Sequence, residues 1–140
     1  MKGKILILIL IGSSLFVNCK GDKKPEAESR QMKEVMAIHD EIMPKMGDIG
    51  KLVDQLKARV DSTDTGKEYE QAMHDLQEAH MAMMEWMQNF GKRFDSSEIL
   101  DGKALSEEKQ QWLDEEEARV KALKEQINNS IARAEELLQQ

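Results

Sequence analysis

The chain is poor in the residues that mark familiar chemistries. Cys19 is its only cysteine, so no internal disulfide can form. There is no Gly-rich phosphate loop and no His-Glu-x-x-His zinc pattern. The absence of a Glu-x-x-His pair argues against a ferritin-like di-iron site, and no serine sits in a recognisable nucleophile elbow. Aromatics amount to two tryptophans, one tyrosine and three phenylalanines, so a core must be aliphatic and built with methionine. Basic residues number 20 against 27 acidic, a net charge of −7 that disfavours nucleic acid and anionic membrane surfaces as partners. The one long hydrophobic run, Ile5 to Ile11, is too short to span a bilayer.

What is present begins with a processing signal. Lys2 and Lys4 precede that apolar run, and Leu15-Phe16-Val17-Asn18-Cys19 resembles the lipobox of bacterial lipoproteins. Phe16 and Asn18 depart from the usual residues at their positions. The resemblance implies cleavage after residue 18 and acylation of Cys19, which anchors the chain to the outer or inner membrane of a Gram-negative cell, with the rest outside the cytoplasm. The alternatives are an ordinary secretory signal with an incidental thiol and an uncleaved amino-terminal anchor. Residues 19–30, charged and containing Gly21 and Pro25, read as a flexible tether. The remaining segment, 31–140, is of single-domain length.

Val35, His39, Ile42, Met46, Ile49, Val53, Leu56 and Val60 repeat at four and three, a heptad seam on a helix expected over about 28–60. Pro44 should kink this helix without breaking it, because the register passes through in phase. Asp61 to Gly66 is turn material suited to a helical hairpin, with Asp64 or Thr65 as the next N-cap. Tyr69, Met73, Leu76, His80, Met83, Met87 and Phe90 form a second seam over about 65–90, with Gly91 as its stop. Lys92 to Leu105 reads as a loop packed by Phe94 and Leu100. Ser106 caps a third helix, about 106–139, whose apolar line is weaker and admits Glu116. The expected fold is all-α: a three-helix up-down-up bundle with coiled-coil-like packing.

All methionines after Met1 and all three histidines lie between Met32 and Met87. Met36, His39, Met43 and Met46 share one face of the first helix, and His80, Met83, Met84 and Met87 are spaced along the second. A hairpin turning near Thr63 sets His39 level with Met87 and His80 level with Met46, at ~1.5 Å rise per residue on each arm. Imidazole with thioether ligands is a soft set suited to cuprous copper. The plainer reading is gap-filling by methionine, with histidines that fix register. His74 reads as exposed. Asp40 and Glu41 beside the Pro44 kink could take a hard cation or a partner's basic group, and Trp112, if exposed, would mark a contact surface.

The run Met36-Ala37-Ile38-His39-Asp40-Glu41-Ile42-Met43-Pro44-Lys45-Met46 resembles a family of small envelope lipoproteins, some labelled "viral A-type inclusion protein". The resemblance extends to the signal and the Met-rich second helix; it implies a lipid-anchored helical bundle and carries no functional residues. The sequence therefore reads as a non-enzymatic envelope module without a cofactor, binding or scaffolding an envelope protein or a second copy of itself. The alternative is a copper-handling protein.

Overall fold

In the computed structural model, which describes residues 23–140, every regular element among the described residues is helical. The signal, Cys19 and the first residues of the tether lie outside the described residues. The helices are α1 (Lys23–Ile42), α2 (Lys45–Lys57), α3 (Asp64–Arg93), α4 (Ser96–Leu100) and α5 (Glu107–Leu138). None is long and apolar enough to cross a membrane.

The stretch expected as a tether is helical from Lys23. Pro25 is tolerated there because the amides of a first turn have no intrahelical acceptor. Glu28 gives this turn a tertiary anchor: it is buried, and its carboxylate accepts from the backbone N–H of Leu105 at 3.3 Å.

Pro44 divides the first expected helix in two. It lacks an N–H, and the next amide bond is a tight one from Met46 to the Met43 carbonyl, 3.2 Å. The backbone nevertheless stays helical (φ −59°, ψ −29°), so Ile42 and Ile49 on either side are both buried in the same core. The α-helical ladder is broken while the seam stays in phase. The pair α1–α2 thus acts as one rod.

Chain reversal follows at Ala58–Thr63. Thr63, one residue earlier than expected, is the N-cap of α3, its hydroxyl accepting from Gly66 N–H at 3.0 Å. Gly66 is buried against the turn: a Cβ there would lie 2.6 Å from both the backbone N and O of Asp61.

α3 runs straight through Gly91 to Arg93. A mid-helix glycine costs about 1 kcal/mol, which the continuing seam offsets: Phe90 and Phe94 are both buried, with ring centroids 4.8 Å apart. Lys92 and Arg93 also place positive charge at the helix C-terminus. Asp95 and Glu98 then form a reciprocal capping box that opens α4. Leu100, expected to pack this region, is 76 % exposed, and half-buried Ile99 packs in its place. Ser106 caps α5 as expected.

Polar pairs fix the directions. Gln31 to Asp114, Glu41 to Lys124 and Lys45 to Asn128 each join residues 83 apart, so α5 runs parallel to the α1–α2 rod. Tyr69 donates to the Leu137 carbonyl, and Arg93 reaches Glu115 and Glu116, so α3 runs antiparallel to α5. The core of α3 follows Tyr69, Ala72, Leu76, Ala79, Met83, Trp86 and Phe90. It keeps Tyr69, Leu76, Met83 and Phe90 of the expected seam and takes Ala72, Ala79 and Trp86 in place of Met73, His80 and Met87. The small side chains of Ala72 and Ala79 occupy the centre, while Met73 and Met87 are half-buried on its flank and His80 is exposed.

Gly66→Ala should lower the stability of the domain by about 2 kcal/mol, read as a reduced urea midpoint, because the new methyl meets backbone. Several carboxyls are held below their ordinary values: Asp95 by Ser97, the Glu98 amide and Lys103, Asp61 by Thr63, Glu41 by Lys124, and Glu117 by Lys121 and Gln31. A depressed folded-state value stabilises the fold above the ordinary carboxyl range, and that contribution is lost as pH falls through the folded-state values. The urea midpoint should therefore be flat from about pH 7 to pH 5 and fall below about pH 4.

Candidate functional site

His39 lies in the last turn of α1, on the flank of the seam that faces α3. Its side chain is 17 % exposed. Nδ1 is 2.9 Å from Asp40 Oδ1, and Nε2 is 3.2 Å from Met87 Sδ on α3. With its proton on Nδ1, toward Asp40, the neutral ring turns its Nε2 lone pair to the thioether; with the proton on Nε2, it donates an N–H···S hydrogen bond to Met87. The Trp86 indole stacks on the imidazole, with centroids 5.8 Å apart and planes at 30°. Phe90 stacks on Trp86 in turn, at 4.9 Å. Met36 and Met43, three residues before and four after His39, are half-buried and pack against the core.

His80 is elsewhere. It lines an open groove of about 400 Å³ with Met46, Ile49, Gly50, Val53, Gln77 and Met81. The levels expected from the hairpin, His39 with Met87 and His80 with Met46, are those of the structure. The eight residues do not converge on one point. Met83 is fully buried in the core, and Met84 is 49 % exposed.

Sequence reasoning overlooked Met81 and the stacking of Trp86 on His39. Met81 directly follows His80 and so lies off the heptad line that was traced, although a groove beside that line accommodates it. Trp86 belongs to the buried line of α3, and spacing along one helix does not show that the His39 ring lies against it.

The other proposed contacts are engaged within the chain. Glu41 binds Lys124 at 2.7 Å, and this ammonium holds its carboxyl below the ordinary value. Asp40 is committed to His39. Among the described residues no three His, Cys, Asp or Glu side chains gather as a hard-cation site would require. Trp112 is half-buried, with the Arg93 guanidinium 5.5 Å from its ring centroid.

Glu116, the charge on the apolar line of its helix, is fully buried. Arg93 from α3 reaches it at 2.9 Å, and Arg119 from its own helix at 3.2 Å. A carboxylate on an apolar line is tolerated because two guanidiniums come to it. Single-sequence periodicity counts the charge as a defect and has no means of seeing the partner on α3.

No family model, no curated protein and no solved structure matches the chain.

Arg93→Ala should cost about 2 kcal/mol by leaving the buried carboxylate with one partner. Glu116→Met, which removes the buried charge while Arg93 retains Glu115, should cost less. Urea unfolding of the two variants gives the order.

Proposed function

We propose that this chain is a lipid-anchored three-helix up-down-up bundle of the cell envelope, held at the membrane through Cys19, and that it works by binding rather than by catalysis. Its favoured cargo is cuprous copper, and His39 with Met87 is the binding pair. The observation that carries this reading is the 3.2 Å approach of Nε2 to Sδ on a ring braced by Asp40. Imidazole and thioether match a soft cation. A carboxylate behind the ring fixes its orientation. The indole of Trp86 supplies a π face beside the pair. Thioethers outside the closed core can provide such ligands where free cysteine would be oxidised.

A second reading, partner docking, is favoured by one specific feature. Met81 is 60 % and Met84 is 49 % exposed, next to the His80 groove. Adaptable methionine surfaces suit amphipathic partners, including another copy of the chain.

Anaerobic titration of the mature chain with cuprous ion, supplied as its bicinchoninate complex, decides between them. Stoichiometric transfer to the protein with quenching of tryptophan emission is expected, and His39→Ala should lose the quenching. Asp40→Ala should weaken the affinity by about 10- to 100-fold. Failure to take up metal at micromolar concentration overturns the copper reading and leaves the docking one.

A further inference from the structure

We infer that the chain holds two cuprous sites, an outer one at His80, Met46 and Met81 and an inner one at His39 and Met87, and that the outer site loads the inner. This rests on the copper reading above and extends it.

The helix geometry requires two sites. His80 and Met87 are seven residues apart on α3, about 10 Å along the axis at 1.5 Å per residue, so a single ion cannot touch both histidines. Each histidine instead has thioethers at its own level: Met87 for His39, Met46 and Met81 for His80.

The two levels differ in access. His80 is exposed, Met81 is 60 % exposed, and their groove opens to solvent with about 400 Å³ of space. His39 is mostly covered, under Trp86 and Met87. An ion arriving from outside therefore meets His80 first.

They also differ in charge. No carboxylate and no cationic side chain lines the His80 groove. Neutral donors among apolar residues do not offset the lost hydration of a hard divalent ion, whereas a weakly hydrated soft monovalent ion loses little. The outer site thus selects by softness. The inner site adds a carboxylate that holds its ring with Nε2 toward Met87, so its donors are pre-oriented where those of the exposed groove are not, and this gives transfer a direction.

Thioethers occupy the levels between. Met43 precedes Met46 by three residues on the rod, and Met84 lies four residues beyond His80 on α3. Transfer is ligand exchange: each new sulfur–copper bond forms as the bond behind it breaks. Copper stays monovalent throughout, and no electron or co-reactant is needed.

The test uses the mature chain in a Trp112→Phe background, so that emission reports Trp86 beside the inner site. Cuprous ion is supplied as its bicinchoninate complex without oxygen, and both uptake and the rate of quenching are read. Two ions per chain are expected. His80→Ala should take up one ion, reach full quenching, and do so at least tenfold more slowly; Met46→Leu, which keeps shape and loses the sulfur, should behave similarly. His39→Ala should take up one ion without quenching. One ion in the parent chain, insensitive to His80→Ala, overturns the outer site and leaves the inner one standing. Two ions with an unchanged loading rate in His80→Ala overturn the transfer order. No uptake at all overturns the parent reading instead.

Discussion

The antiparallel return between α2 and α3 sets every facing pair between the rod and α3. The reversal is held by side-chain capping at Thr63 and by the close seating of Gly66 on Asp61. Once this turn is fixed, residues equally distant from it along the two arms lie side by side. His39 meets Met87 for that reason, and His80 meets Met46. A change of turn length by one residue would rotate α3 by about 100° against the rod and would separate both pairs together. The register of the candidate ligands is thus a property of the hairpin, established far from either histidine.

The same hairpin needs a third surface, because α3 carries an apolar face wider than one partner can cover. Its central line of Tyr69, Ala72, Leu76, Ala79, Met83 and Trp86 is buried, and the Met73, Met87 line lies on the flank. α5 packs along α3 and along α1, and polar pairs set its alignment. Arg93 with Glu116 is the most costly of these. A buried carboxylate contributes little net stability, but any slip of α5 by a turn would leave it without Arg93, so it disfavours wrong alignments more than it stabilises the right one. Glu28 acts similarly at the same end of the bundle, where its carboxylate meets the Leu105 amide.

The sequence made the helical class, the return in the early sixties, the Ser106 cap and the levels of the two histidines legible, since each follows from local spacing or capping chemistry. It misled where a choice depended on a distant partner. Ala72 and Ala79 look like weak seam positions beside Met73 and His80, yet small residues let helices approach closely and so take the centre. Gly91 looks like a stop until Phe94 is seen to continue the buried line. The solvated character assigned to Lys20–Arg30 overlooked Glu28, whose acceptor role is invisible without Leu105 beside it.

That misplaced seam bears directly on function. Had Met73, His80 and Met87 been the centre of the interface, their sulfur and nitrogen atoms would be packed among carbon atoms, and taking up an ion would require opening the core. On the flank, each is covered on one side and open on the other. His39 is held by Trp86 and Asp40 with its second nitrogen turned to sulfur, while His80 faces an open groove. A binding group needs this intermediate burial: enough surrounding structure to fix its direction, and enough access for a ligand to arrive. The methionines divide along the same boundary. Met32 and Met83 are buried as core fillers; Met36, Met43, Met46, Met73 and Met87 are half-buried on the flank; Met81 and Met84 are exposed. Core filling alone accounts for the first group. The second group packs against the core with one side open, the third faces solvent, and the copper reading proposed above draws on these two groups and not on the first.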